Sequence, residues 1–165
     1  HDVLDNAIPL KKNATELHLL ENGNMLIGGI EFTVNTELKY PNYAAVIPEY
    51  STNIVFDKKQ FAGLVKQALP TANSTTHLIK MSMNGNIKIS SEDIDWGKET
   101  LVEMDYKSKS VIDHEVGFNG KFLQSCLALI DNKDVTMLTG GIASRAVILE
   151  DSNAKVLLMP VLIAQ

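Results

Sequence analysis

Residues able to carry out catalysis or to bind a metal are few and scattered in this sequence. Asp93 and Asp95, separated by one residue in a polar stretch, have carboxylate oxygens suited to a divalent cation, although such pairs usually face solvent. His114 lies on the apolar side of a strand-like alternation, which is more typical of a satisfied core histidine than of a base or a metal ligand. Cys126 has no neighbouring group that would activate its thiol. We therefore predict a protein without catalytic activity, metal or cofactor.

Lysine side chains suggest a different chemistry, contact with phosphate groups. Basic residues number 15 in a chain of 165 residues with a formal net charge of −5, and Arg145 is the one arginine. Specific contacts with DNA bases depend mainly on arginine, whereas lysines on one surface can contact phosphates without reading the base sequence. The composition thus argues against sequence-specific DNA recognition and against a protein that coats nucleic acid through its overall charge. It is compatible with non-specific contact through a local basic surface.

Two predicted helices would position the lysines. The first begins at Asp57, a good N-cap, and has Phe61 at the centre of its apolar stripe. At about 100° per residue, Lys59 and Lys66 lie on the opposite side of the helix. Gly63 lies there too and leaves that surface low and open. The alternative explanation is that these lysines only keep an exposed helix face soluble.

The second helix follows a predicted strand that ends at Phe118. Asn119 is a preferred N-cap residue, and Lys121 lies on the polar face of the helix that it begins. Apolar residues recur at positions i, i+4, i+7 and i+8, as in a buried stripe: Phe122, Cys126, Leu129 and Ile130. The pattern predicts a helix over residues 119–131 with Phe122 in the core.

The C-terminal stretch, residues 156–163, is apolar at every position. Pro160 lacks the N–H that a central strand needs, so this strand is expected at a sheet edge, or else it stops pairing there. The segment is either a strand buried on both faces or, if it leaves its sheet, the floor of an apolar groove. The sequence leaves both possibilities open.

Two local patterns recur at the same interval and indicate an internal repeat. Phe56 and Phe118 each end a predicted strand directly before a helix cap, and they are 62 residues apart. The hairpin signals Asn22-Gly23 and Asn84-Gly85 are also 62 residues apart. We predict an α+β fold of duplicated β-α-β-β-β units with two helices packed on one face of the sheet. The alternative is an ordinary α+β domain with two similar hairpins.

The predicted repeats span residues 52–106 and 111–163, which places a domain boundary near residue 40. Upstream, residues 15–38 are expected to form hairpin strands of a preceding domain. The chain begins with His1 rather than Met, which suggests a fragment or a processed chain. No apolar run approaches the roughly 18 residues of a membrane span, and a single cysteine fits a reducing cytoplasm.

Several short motifs, in this order and spacing, resemble those of the bacterial sliding clamp, the β subunit of DNA polymerase III. They are Tyr40–Tyr43 with Val46–Pro48, Val116–Asn119 with Phe122-Leu123, Ser144–Ala146, and Leu157–Val161. The resemblance covers roughly residues 14–165. It implies a DNA-clamp fold in which residues 1–39 are a remnant of the middle clamp domain, its final strands. Residues 40–165 would then be the C-terminal, third domain.

The resemblance also implies a function. Sliding clamps are head-to-tail rings with helices lining the hole, and they tether DNA polymerase III to duplex DNA without reading its sequence. Here the resemblance implies DNA-facing roles for Lys59, Lys66 and Lys121. The implied partners are double-stranded DNA, DNA polymerase III, the clamp loader and another clamp protomer, in the cytoplasm and without membrane contact. Because the match lacks the first domain and most of the second, the alternative is a stand-alone clamp-fold peptide-binding or scaffold domain that does not encircle DNA.

Clamp-binding proteins of this family insert a short apolar peptide where the middle and last domains meet. Matching motif by motif implies a peptide-binding groove whose wall in the last domain consists of Pro41, Val46, Asn119, Phe122, Ile142, Ser144, Leu157, Leu158, Met159, Pro160, Val161 and Leu162. Apolar walls would supply most of the binding energy, at roughly 25 cal/mol per Å² buried. Pro160 would leave neighbouring backbone groups free to hydrogen-bond an extended peptide.

Overall fold

The computed structural model describes residues 16–33, 42–50, 52–108, 112–140, 142 and 144–163, apart from the side chains of Tyr43 and Val46. The chain divides into two compact units, residues 1–43 and 44–165. Within the described residues, no helix is long and apolar enough to cross a membrane.

The first unit contains a small antiparallel sheet of three consecutive strands: β1 (Leu17–Leu19), β2 (Met25–Ile27) and β3 (Ile30–Phe32). The predicted turn at Asn22-Gly23 lies between β1 and β2, and Gly23 has a φ of 83°, which glycine adopts without strain. The Asn22 side chain supports this turn by accepting a hydrogen bond from the backbone N–H of Asn24 at 3.0 Å. The predicted hairpin is confirmed.

The second unit contains the two predicted repeats. The first consists of β4 (Asn53–Asp57), α1 (Lys58–Ala68), β5 (Leu78–Asn84), β6 (Ile87–Asp93) and β7 (Lys98–Met104), followed by the short β8 (Lys107–Ser108). The second consists of β9 (Asp113–Asn119), α2 (Gly120–Ala128), β10 (Asp134–Leu138), β11 (Val147–Glu150) and β12 (Lys155–Leu158). Short 3-10 helices lie at Tyr43–Val46, Leu69–Thr71 and Ile94–Trp96. The predicted order β-α-β-β-β is confirmed in both repeats.

The strands of the second unit form two antiparallel sheets, ordered β7-β6-β5-β9 and β12-β11-β10-β4-β8. The last three strands of each repeat stay together, while the first strand joins the sheet of the other repeat: β4 pairs with β10, and β9 pairs with β5. The two helices pack against each other; α1 also contacts β6 and β7, and α2 contacts β12. Because each sheet takes strands from both repeats, the repeats form one structural unit.

The cap residues predicted for both helices make the expected hydrogen bonds. A side-chain oxygen of Asp57 accepts from the backbone N–H of Gln60 at 2.8 Å. A side-chain oxygen of Asn119 accepts from the backbone N–H groups of Lys121 and Phe122, at 3.0 and 3.2 Å. The predicted apolar stripe of α1 is buried as expected: Phe61, Leu64, Val65 and Ala68.

The stripe predicted for α2 is confirmed at Ile130, which is buried, and at Cys126, which packs against the core, but it is wrong at Phe122 and Leu129. Within the helix, the buried residues are Gly120, Leu123 and Leu127. Phe122 and Leu129 are 64% and 63% exposed. The physical reason is close packing at Gly120, where an added Cβ would lie 2.7 Å from the Leu69 side chain, so this side of the helix faces inward. The helix also ends at Ala128, earlier than predicted.

His114 is buried, as the sequence predicted, but it is not satisfied. It lies on β9 opposite Met83, is 6% exposed, and its Nε2 has no hydrogen-bond partner among the described residues. Burial lowers the pKa of this imidazole, because the protonated form loses its hydration. The folded state therefore binds a proton at His114 less readily than the unfolded state does.

This burial predicts a loss of stability in mild acid. The unfolded pKa of histidine is about 6.5, so His114 should not affect stability above that pH. As the pH falls below about 6.5, the unfolded state takes up a proton that the folded state resists, until the pH has passed the lower folded pKa. Between about pH 7.5 and about pH 5, the thermal unfolding midpoint should fall by several degrees more in the wild type than in His114→Leu.

Thermal unfolding followed by circular dichroism at the two pH values measures this difference. His18→Leu serves as a control, since His18 is exposed in the first unit and contacts the exposed Glu16. Equal acid sensitivity of the wild type and His114→Leu would show that His114 is not the responsible group.

Candidate functional site

A groove lies between the two helices on their outer side. It is lined by Lys58, Lys59, Ala62, Gly63 and Lys66 from α1 and by Gln124, Leu127 and Ala128 from α2. Lys59 and Lys66 are exposed, and a Cβ added to Gly63 would meet no atom within 4 Å. Lys58 is different, because its Nζ donates a hydrogen bond to the backbone oxygen of Ile130 at 2.6 Å. Two of the three predicted DNA-facing lysines thus lie along one open groove.

The third predicted lysine, Lys121, lies one turn before Gln124 on α2 and is exposed. Residues three and seven positions apart share a helix face, so Lys121 projects from the same side as Gln124 and Ala128. It does not line the groove itself. The assignment of these three lysines to DNA stays a prediction.

The charge of this surface is opposite to that of the chain as a whole. Neither α1 nor α2 contains an aspartate or a glutamate, whereas the whole chain has 20 acidic residues and a net charge of −5. Among the described residues, the acidic side chains lie in strands, loops, helix caps and one 3-10 helix. A local positive potential over the helix pair follows, although the total charge is negative.

The C-terminal stretch begins as an edge strand, as Pro160 predicted. β12 is the outermost strand of its sheet and ends at Leu158, whose side chain is 7% exposed and belongs to the core. Beyond it, Met159 and Leu162 are 61% and 75% exposed, while Leu157, Pro160 and Val161 are half-buried. The segment is neither a strand buried on both faces nor wholly exposed. Its role in a peptide groove remains a prediction. Leu158 is a core residue, so it can only pack beneath such a groove and cannot contact the peptide.

The start of α2 is the second predicted part of the groove. Asn119 caps the helix with its oxygen, and its side-chain nitrogen donates to the backbone oxygen of Thr76 at 2.9 Å. Its side-chain oxygen and one N–H of its amide are therefore already engaged in holding the helix start. Phe122, in contrast, projects into solvent. The helix contacts β12, which brings the start of the C-terminal segment next to it.

The connection between β10 and β11 supplies the remaining described residues. Ile142 is 44% exposed, and Ser144 is exposed as well. Tyr50 holds this connection, because its hydroxyl donates to the backbone oxygen of Ala146 and its ring leaves no room for a Cβ at Gly140. Burial raises the pKa of Tyr50 further above neutral pH, which favours the protonated hydroxyl that donates to Ala146.

Strand pairing determines which of these residues lie at the same end of the sheet. Val147 pairs with Leu158, so Ser144, just before β11, and Met159, just after β12, lie at one end of this strand pair. Pro41 lies outside the described residues, and so does the side chain of Val46. The peptide groove as a whole therefore stays a prediction.

Two solved structures share this arrangement of helices and sheets. The β sliding clamp of C. crescentus aligns over 97% of this chain and 45% of its own, with a TM-score of 0.80 and 17% identity. The DNA polymerase III subunit β sliding clamp of Pseudomonas aeruginosa, solved bound to griselimycin, aligns over 85% of this chain and 39% of its own, with a TM-score of 0.73 and 20% identity. The chain has the sliding-clamp fold. The resemblance noted from the sequence motifs is thereby confirmed for the fold.

The chain described here spans less than half the length of these solved clamps, 39% and 45% of them. A scan against protein-family models found no match, and a search of curated proteins found none either. At 17–20% identity, the likeness concerns the fold.

The two carboxylates considered above as possible cation ligands differ in exposure. Asp95 is exposed, as expected. Asp93 was expected to face solvent, but it is 5% exposed because it points inward at the end of β6, and its Oδ1 has no hydrogen-bond partner among the described residues. In the described part of the chain, no three His, Cys, Asp or Glu residues are placed to hold a metal ion.

One exposed apolar surface of the clamp fold was not predicted from the sequence. Ile94, Trp96 and Leu101 are 82%, 73% and 69% exposed, around the outermost strand β7. The ammonium group of Lys98 lies 5.8 Å from the centre of a Trp96 ring. Only Leu101 continues a strand alternation, so the pattern contained no signal that the other two face solvent. This surface adjoins the end of the C-terminal segment, because Ile94, Leu101 and Ile163 line one pocket.

Proposed function

We propose that this chain is the C-terminal part of a DNA sliding clamp. In this proposal, residues 1–39 are the final strands of the middle domain and residues 40–165 form the third domain. The protein would tether DNA polymerase III to duplex DNA in the cytoplasm, without reading the base sequence and without an active site of its own. Its further partners would be the clamp loader and another clamp protomer.

The absence of acidic residues from the helix pair is the observation that carries this proposal. A tether that slides needs weak and uniform contact with phosphates, which lysine supplies as a mobile point charge. Lys59 and Lys66 lie along an open groove, where Gly63 and the small Ala62 and Ala128 let a DNA backbone approach. The single arginine of the chain, Arg145, lies outside both helices. Strong bidentate contacts that would slow sliding are thus not expected there.

The peptide groove is the second part of the proposal. Three apolar side chains at the start of α2 and in the C-terminal segment are exposed: Phe122, Met159 and Leu162. Exposed apolar side chains that are grouped in this way mark a surface for binding a partner. Pro160 has no N–H, which interrupts pairing and leaves adjacent carbonyl groups available to an extended peptide. We assign this surface to the short apolar peptides by which DNA polymerase III and the clamp loader would dock.

Titrations of the protein with duplex DNA and with peptide test the proposal. Two fluorescent duplexes of unrelated sequence should bind equally, with a Kd in the range of about 10⁻⁴ to 10⁻⁶ M that weakens steeply as salt is added. A polymerase tail peptide should bind in the range of tens of micromolar or weaker, about 6 kcal/mol or less. A clear preference for one duplex, or no association with either at low salt, would contradict the tether.

The same titrations distinguish the sliding clamp from the alternative function, a stand-alone scaffold domain. A stand-alone clamp-fold scaffold would bind the peptide but not the DNA, at any salt concentration. The exposure of Phe122 and Met159 favours peptide binding independently of the lysines, so the two activities can be judged separately.

A further inference from the structure

We infer that Gly117 positions the C-terminal segment, residues 159–163, and thereby shapes the peptide groove. This inference rests on the proposed peptide-binding function. Gly117 lies on β9 and is buried, two residues before the cap of α2. None of the predicted groove residues is Gly117, and it has no side chain to offer a peptide. Its effect would be exerted through Val161.

The spacing around Gly117 leaves no room for any side chain. A Cβ added there would lie 2.6 Å from the backbone oxygen of Val161, 2.9 Å from Ile163 Cγ1 and 3.1 Å from Leu78 Cδ1. The Val161 backbone N–H donates a hydrogen bond to the Gly117 oxygen at 2.8 Å. The segment therefore crosses directly against the backbone of β9. Since the nearest atom is a backbone oxygen, it cannot move aside by a side-chain rotation.

The backbone conformation of Gly117 gives no other reason for a glycine. Its φ is not among the positive values that favour glycine, in contrast to Gly85 on the neighbouring hairpin, with a φ of 78°. Any residue could adopt this conformation. What glycine supplies at this position is space for the C-terminal segment.

The first repeat provides an internal comparison. Val55 lies 62 residues before Gly117, at the equivalent place on β4, and pairs with Lys107 just as Gly117 pairs with Val161. There, the end of the repeat pairs through two residues, Lys107 and Ser108, beside a β-branched side chain. The fold thus accepts a side chain at this position. The glycine belongs specifically to the path of residues 159–163.

The attachment of this segment depends heavily on the contact with Gly117. β12 ends at Leu158, and Pro160 has no N–H to donate. Within the described residues, the bond from Val161 to Gly117 is the backbone hydrogen bond that ties the segment to β9. Displacing Val161 would move Met159 and Leu162 together, the two most exposed apolar side chains of the segment.

The variants Gly117→Ala and Gly117→Val test the inference in the full chain. If the segment keeps its position in only a tenth of the molecules, the apparent affinity for a polymerase tail peptide falls about tenfold, and we expect a loss of this order for Val and a smaller one for Ala. Val55→Ala, the matched change in the first repeat, should leave peptide affinity within about twofold of wild type. Amide chemical shifts of residues 159–163 should move in the Gly117 variants and stay in place in Val55→Ala.

A truncation after Leu158 shows whether the effect passes through the segment. Gly117→Val should lower the thermal unfolding midpoint of the full chain clearly more than that of a chain without residues 159–165. The atoms of Val161 and Ile163 are then gone, and only the flexible Leu78 side chain stays close to the new side chain. Peptide affinity of Gly117→Val equal to that of wild type would overturn the inference. An equal loss of stability in the full and truncated chains would overturn it too.

If the wild-type protein binds no peptide, the peptide groove of the proposed function fails. The chemical shifts and the stability comparison then still decide whether Gly117 holds the segment in place.

Discussion

Replacing Lys59, Lys66 and Lys121 together with glutamate is expected to weaken association with duplex DNA at least about tenfold at low salt. Each lysine that contacts a phosphate releases about one counterion, so the slope of log K against log salt should become shallower by about three. The cause is local: both helices lack acidic residues, and the substitutions place three carboxylates where three ammonium groups stood on the helix pair. Fluorescence anisotropy over a series of salt concentrations measures both quantities.

A matched triple variant separates position from total charge. Lys88, Lys98 and Lys107 are exposed on β6, β7 and β8, and changing them to glutamate alters the net charge by the same amount. This control should reduce DNA association only slightly. Equal losses in the two variants would assign the effect to net charge. Unchanged binding in the helix variant would mean that its lysines serve only solubility.

The second large effect is expected at the C-terminal segment. Changing Phe122 and Met159 to alanine should abolish measurable binding of a polymerase tail peptide, since a side chain central to an interface contributes about 2 kcal/mol or more, roughly 30-fold each. Stability should change little, because the two side chains are 64% and 61% exposed. Calorimetric titration and thermal unfolding of the same samples measure the two effects.

Leu129, the C-cap residue of α2, offers a matched control. It is 63% exposed, close to the value for Phe122, but it lies beyond the C-terminal end of α2. Leu129→Ala should keep wild-type affinity for the peptide. A loss in Leu129→Ala as large as that in the double variant, or full binding by a folded double variant, would place the groove elsewhere.

Local signals were sufficient for most of the elements. Asp57 and Asn119 cap their helices with the hydrogen bonds predicted from residue type, since a short polar side chain after a strand competes well for free N–H groups. The turns at Gly23 and Gly85 have the positive φ that Asn-Gly predicts. The 62-residue interval revealed the duplication, because equivalent residues perform the same local task in each repeat. These features depend on neighbours in the chain, which a sequence displays directly.

The candidate sites were only partly predictable. The lysine face of α1 followed from helical spacing, and its open groove agrees with that derivation. The residues of the peptide groove were predicted from the resemblance to sliding clamps. Such a resemblance cannot distinguish a side chain that contacts the peptide from one that is buried beneath the groove. Leu158 proved to be a core residue, and Phe122, predicted in the core from its own stripe, proved to be exposed. The choice between Phe122 and Leu123 depended on Leu69 and Ile79, which pack against Gly120 from the first repeat.

The helix caps and turns are thus determined by the sequence of this protein alone, because each rests on interactions within a few residues. The repeat is also visible in the sequence, because the same local patterns recur in each half. The exchange of β4 and β9 between the sheets was decided only by the tertiary structure, as was the inward face of α2. So was the need for glycine at position 117, where the limiting atom is a backbone oxygen 44 residues later in the chain. Long-range contacts of this kind leave no periodic signal in the sequence. Nothing in the neighbouring residues shows whether a glycine is needed because a side chain would clash or because the backbone has a positive φ.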